Sequence, residues 1–165
     1  MAYILSPEGV TFITTEESCA LSAYDKDGHP TYGFGSTWRP DGSPVEMGDV
    51  ITKDDAIELF KSQVKSITDT LWRIIPGRLT QYQVDALTSL LFNCGVGLVH
   101  SSHTLGQAIA ANDREAIANA ILLYDEATIN GVRGPFLAAR RKAEHDMFNG
   151  AKEVSTPSGV FQCAT

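Results

Sequence analysis

Apolar positions along this chain fall mainly into stretches of helical period, separated by one polar, turn-rich stretch. Ile57, Phe60, Val64, Ile67 and Leu71 recur at alternating spacings of three and four. That stripe predicts an amphipathic helix of about twenty residues. Thr52 serves as its N-cap, Asp54 and Asp55 sit in the first turn, and Pro76-Gly77 breaks it. Thr80-Gln81-Tyr82-Gln83 has the form of a capping box, and the segment from Val84 to Phe92 is apolar almost all round. It is expected to be the buried central helix, ended at Asn93-Cys94-Gly95. Shorter helices are predicted over 104–111 and 113–126, and a last one from about 135 to 149. Asn130-Gly131 and Gly134-Pro135 are taken to bound a loop. Residues 23–51 are rich in Gly, Pro and Asp, and Thr31–Thr37 alternates in strand fashion, which predicts a small irregular antiparallel sheet of two or three strands.

The first helix carries the feature that points to chemistry. Ser6-Pro7-Glu8 reads as N-cap, proline at the first helical position and an acid in the first turn. A helix from Pro7 to about Leu21 puts Val10, Ile13, Ala20 and Leu21 on one face, with the chain turning by Ser22–Tyr24. Glu17 then falls within about 40° of Ile13 and Leu21, whereas Glu16 points about 100° away. A carboxylate amid a core-facing stripe costs several kcal/mol to keep charged, so it holds a proton or finds a partner. Two readings follow: Glu17 is an acid poised for proton transfer, or it pairs with an arginine, for instance from the last helix, and ties the structure together. One residue can do both.

Composition narrows the setting. The 165 residues can bury a sizeable core as one compact unit, and 43% hydrophobic with 20% charged residues is ordinary for a globular protein. No apolar run is long enough to span a membrane, and the first residues lack the basic region, apolar run and cleavage site of a secretory signal. Synthesis and folding in the cytoplasm are therefore expected. Cys19, Cys94 and Cys163 cannot all pair with one another, and with no signal they are expected to be reduced thiols, Cys19 and Cys94 filling core space. The net charge of −7 argues against nonspecific nucleic-acid binding and disfavours long-range attraction to an anionic polymer. His29, His100, His103 and His145 lack ligand spacing, so no zinc site is expected. Tyr82, Phe92, Tyr124 and Phe148 are read as core, and Arg140-Arg141 as one inward and one outward side chain.

Glu17-x-x-x-Leu21-x-Ala23-Tyr24 followed by Asp25-x-x-Gly28-x-x-Thr31-x-Gly33-x-Gly35-x-Thr37 resembles the catalytic segment of phage-type lysozymes, glycoside hydrolase family 24. The likeness continues through Gly48-Asp49-x-Ile51-Thr52, through Leu79-Thr80-Gln81-x-Gln83-x-Asp85-Ala86-Leu87-x-Ser89-x-x-Phe92-Asn93-x-Gly95, and through Arg140-Arg141-x-Ala143-Glu144-x-x-Met147-Phe148. It implies an α+β, lysozyme-like fold in one domain. About residues 1–52 form the hairpin-bearing lobe, 53–74 the connecting helix, 75–150 the helical lobe and 151–165 a tail. It also implies hydrolysis of the β-1,4 bond between N-acetylmuramic acid and N-acetylglucosamine in peptidoglycan, without cofactor or metal.

Under that resemblance Glu17 is the general acid, Asp25 activates or positions the attacking water, and Thr31 helps hold that water. One departure matters: seven residues separate Glu17 from Asp25, where the family usually has eight. Glu16 as the acid would restore the spacing, and Asp27 is an alternative base; the helical-face argument favours Glu17. The expected protein is an endolysin, monomeric, neither nucleic-acid-binding nor membrane-inserted. It would stay in the host cytoplasm until a holin-type permeabiliser gives it access to the wall. A lytic transglycosylase acting on the same bond, or an inactive glycan-binding or structural protein, are the competing expectations.

Overall fold

The computed structural model describes residues 2–26, 28–129, 131–150, 161 and 163–164. Helix α1, Pro7–Glu16, starts where the capping signals place it: the Ser6 hydroxyl accepts from the Gly9 N–H at 3.0 Å. Ser6 also donates from its hydroxyl to Asp85 Oδ2 at 2.6 Å and from its backbone N–H to Oδ1 at 3.0 Å. The helix N-terminus is thereby fastened to a buried carboxylate on the central helix.

Helix α1 is shorter than its periodicity predicts. It ends at Glu16, and Glu17 is already extended at φ −96° and ψ 131°. Ala20 and Leu21, whose positions fit the helical stripe, belong to strand β1, Cys19–Lys26. Tertiary pairing overrides local period here. Strand β2, His29–Gly33, pairs antiparallel with β1, matching Tyr24 to Thr31 and Asp25 to Pro30, with an irregularity in register between Ala20 and Tyr24. The small sheet expected over 23–51 is present, extended by isolated bridges from Ser22 to Val50 and from Trp38 to Pro44. Its other edge is filled by β5, Cys163–Ala164, running parallel to β1.

That pairing carries a disulfide between Cys19 and Cys163, which corrects the expectation of reduced thiols. An odd cysteine count excludes complete pairing, not one pair. The partners stand 144 residues apart in sequence, so local spacing gives no hint of them. Phe161 adds an apolar clasp, its ring 5.8 Å from Phe34 and 5.9 Å from Phe60. Cys94 is free and exposed at the end of the central helix, not core filler. Of the tail over 151–165, residues 151–160, 162 and 165 lie outside the described residues.

Helix α2, Lys53–Ile74, has Thr52 accepting from the Asp55 N–H and buries Phe60, Val64, Ile67 and Leu71 as the stripe predicts. Helix α3, Gln81–Cys94, opens with the capping box of Thr80 and Gln83, and every residue from Val84 to Leu91 is buried. Gly95 ends it at φ +88°, a conformation that suits glycine. A 3₁₀ turn, Val96–Val99, leads to α4, Thr104–Ala111. Gly106 lets α4 lie against the carbonyl of His100, where a Cβ would come within 2.0 Å of that oxygen. Helix α5 covers Arg114–Ile121, shorter than the expected 113–126: Asp113 is its N-cap, and the helix already ends at Leu122. The expected loop around Asn130-Gly131 is a hairpin, with strands β3, Ala127–Ile129, and β4, Val132–Gly134. Asn-Gly between β-branched residues is a hairpin signal that the loop reading passed over. The last helix, α6, runs from Ala138 to Phe148 and packs on α3 and α5.

Opening the Cys19–Cys163 cross-link is expected to cost about 2–5 kcal/mol of stability, as for other native disulfides that close long loops. Urea unfolding of the oxidised protein, of the reduced protein and of Cys19→Ser measures it. Coincident midpoints would show that the clasp contributes nothing.

Candidate active site

The ionic centre of the molecule lies where α1 ends, α3 passes and α6 begins. Glu17 Oε1 accepts from Arg140 Nη1 at 2.7 Å, with the Glu17 side chain 14% and the Arg140 side chain 5% exposed. Arg140 also donates through Nε to Glu144 Oε1 at 3.1 Å and reaches the Ser89 hydroxyl at 3.3 Å. Glu144 accepts from Ser89 at 2.6 Å and from Arg141, which donates in turn to Asn93. Arg141 and Glu144 have no side-chain exposure.

Burial works against the Arg140 charge, but attraction to Glu17 and Glu144 outweighs it and raises its pKa above the usual arginine value. Burial likewise pushes the Glu144 carboxyl up, while Arg141, the Ser89 hydroxyl and Arg140 pull the other way. Glu144 stands three and four residues after the two arginines, so one carboxylate receives both guanidinium groups on one helix face. For that reason both arginines point inward, correcting the expectation of one inward and one outward.

Glu17 forms part of the wall of a cavity of about 330 Å³, between the hairpin and helices α2 and α3. Gln63, Ser66 and Asn93 contribute polar groups to it, and Phe34 and Phe92 apolar surface. Oε2 of Glu17 takes no hydrogen bond among the described residues, so one oxygen is tied to Arg140 and the other is open. Glu16 is exposed and has no place in the wall. The structure therefore brings Glu17, not Glu16, to the cavity, though by an extended residue at the helix end. The Glu17 N–H still donates to Ile13 O at 2.9 Å, so the helical phase carries as far as this residue.

The hairpin is arranged differently from the sequence expectation. Strand alternation puts Tyr24 and Lys26 on one face and Asp25 on the other. Burial first and the Glu17 charge second raise the Tyr24 phenol pKa. Lys26 lines the cavity, and Asp25 does not. Asp25 is exposed, and its Oδ1 accepts from the Gly28 N–H at 2.7 Å, closing the turn. Thr31, paired with Tyr24, is 1% exposed and donates to His29 O at 2.9 Å. Asp27, the alternative base, lies outside the described residues.

Lys26 and the Ser89–Glu144–Arg141 cluster had no place in the sequence reading. The available signal was the spacing of Arg140, Arg141 and Glu144 on a helix that also buries Met147 and Phe148. Phe92 borders the cavity and Tyr82 is exposed, so neither is plain core, whereas Phe148 is buried. Among the described residues no group of three or more His, Cys, Asp or Glu could hold a metal ion. No described helix is long and apolar enough to cross a membrane.

A largely buried glutamate thus lines a cleft with polar groups, beside the hairpin and backed by helices α2 and α3. The family described as phage lysozyme matches residues 14–144, and the chain belongs to it. The endolysin of Salmonella phage P22 is 36% identical over 145 residues, covering 87% of this chain and 97% of the relative. The solved endolysin of Escherichia coli O157:H7 phage FAHEc1 superposes with a TM-score of 0.74 at 30% identity, over 90% of this chain and 94% of that one. A P22 lysozyme mutant gives 0.70 at 32% identity, over 90% and 99%. The protein is thus an enzyme, a glycoside hydrolase of the lysozyme type.

Arg141→Met removes one of the two cations from a fully buried carboxylate and is expected to destabilise the protein by about 3–5 kcal/mol. Ser89→Ala, which removes one hydrogen bond to the same group, should cost about 1–2 kcal/mol. Denaturant unfolding checks both; a loss below about 1 kcal/mol for Arg141→Met would contradict the arginine's structural role.

Proposed function

We propose that this enzyme is an endolysin muramidase, cutting the β-1,4 bond between N-acetylmuramic acid and N-acetylglucosamine in peptidoglycan, with Glu17 as the general acid. The observation that carries the reading is a Glu17 side chain at the cavity wall whose Oε1 is held by Arg140 while Oε2 takes no hydrogen bond among the described residues. A proton on Oε2 can pass to the glycosidic oxygen. The carboxylate left behind is then stabilised by the fixed Arg140 charge, an interaction that strengthens as the bond breaks. Asp25 activates the water and Thr31 helps hold it on the far side of the sugar, giving single displacement with inversion. For this, Asp25 releases the Gly28 N–H and turns toward the cavity when glycan binds.

The same reading divides the chain into a hairpin-bearing lobe of about residues 1–52, a connector over 53–74 and a helical lobe over 75–150. The protein works as a monomer. It stays in the host cytoplasm until a holin-type permeabiliser admits it to the wall, where it causes lysis.

A second reading has one specific observation in its favour. Lys26, not Asp25, lines the cavity, which leaves Glu17 as the single acid at the wall among the described residues. A lytic transglycosylase needs one acid and no activated water.

Glu17→Gln is expected to lower the initial rate of clearing of a peptidoglycan suspension by at least about 10²-fold, and Thr31→Ala by less. Equal clearing by wild type and Glu17→Gln would remove Glu17 from the acid role. A new reducing end in the products supports the hydrolase, and a 1,6-anhydro end supports the transglycosylase.

A further inference from the structure

Among the described residues, the charged side chains on the cavity wall are Glu17 and Lys26. Glu17 belongs to a closed set of two carboxylates and two guanidinium groups, Glu17, Glu144, Arg140 and Arg141, whose charges cancel. Lys26 has no hydrogen bond and no ion pair among the described residues, and it is exposed at the hairpin end of the cleft. Among the described residues the cleft wall therefore presents one positive charge with no ion-pair partner, in a chain of net charge −7. A neutral sugar polymer needs no such charge. The remaining polar lining, Gln63, Ser66 and Asn93, already suits hydroxyl and acetamido groups.

We propose that Lys26 is a specificity-determining residue that pairs with a carboxylate of the muramoyl residue and selects anionic glycan over neutral N-acetylglucosamine polymer. The carboxylate is either the lactyl group, free where the peptide has been removed, or one on the stem peptide. This rests on the muramidase reading of the site. It also supplies the local attraction that the overall charge of the molecule denies: a protein repelled at long range by an acidic wall keeps a short-range cation where the strand must lie. An ammonium on a flexible stem suits this role, because carboxylates on a polymer vary in position.

The test compares wild type, Lys26→Gln and Lys26→Arg on peptide-bearing glycan, on glycan stripped of peptide and on a neutral chitooligosaccharide. Lys26→Gln is expected to raise KM about fivefold on a carboxylate-bearing substrate, with Lys26→Arg recovering most of the loss. On the neutral oligomer the substitution should shift KM far less. The arm on which the effect appears identifies the carboxylate as lactyl or peptide-borne. Raising salt from about 0.05 to about 0.5 M should erase the difference between wild type and Lys26→Gln. Equal KM changes on anionic and neutral glycan, or none on either, would overturn the proposal. If wild type cleaves none of these substrates, the muramidase reading fails. Co-sedimentation of Glu17→Gln with peptidoglycan, with and without Lys26→Gln at low salt, then still decides the role of Lys26: weaker retention without the lysine supports it, and equal retention refutes it.

Discussion

Burying Glu144 forces much of what surrounds it. A carboxylate with no access to water must be met by opposite charge and by hydrogen-bond donors, and here two guanidinium groups and a hydroxyl converge on it. Arg140 then has donors to spare, and one of them reaches the end of α1 to hold Glu17. The position of the proposed catalytic acid thus follows from the way α6 settles on α3. The cluster is neutral as a unit, which lets it sit in the core, and none of its members can be withdrawn without stranding another.

Much of the helical part was legible in the sequence because its signals are local. The N-caps at Ser6, Thr52 and Thr80, the stripe from Ile57 to Leu71 and the stop at Gly95 each depend on residues within a turn or two, and each is realised. Two failures occur where distant chain decides. Ala20 and Leu21 fit a helix, yet the sheet claims them, and the partner of Cys19 is 144 residues away. Period two and period 3.6 cannot be told apart over so few residues at the end of a helix.

The site was legible in part, and for a reason that was only half right. Helical phase selected Glu17 over Glu16, and the phase does persist through the Glu17 N–H, although the residue itself is extended. The alternative that Glu17 meets an arginine of the last helix describes its actual partner. In the hairpin, pairing of Tyr24 with Thr31 and of Lys26 with His29 sets which side chains alternate, and a register irregularity between Ala20 and Tyr24 separates that alternation from Glu17. Lys26 lines the cavity and Asp25 does not, which motif matching alone does not register.

The clasp at the far edge of the sheet has a consequence of its own. Cys19 lies two residues beyond Glu17, and closing its bond turns most of the polypeptide into a covalent ring that begins just after the acid. Thiols remain open in a reducing compartment and join in an oxidising one. Whether this single bond is open or closed therefore follows the redox poise of the compartment that holds the molecule.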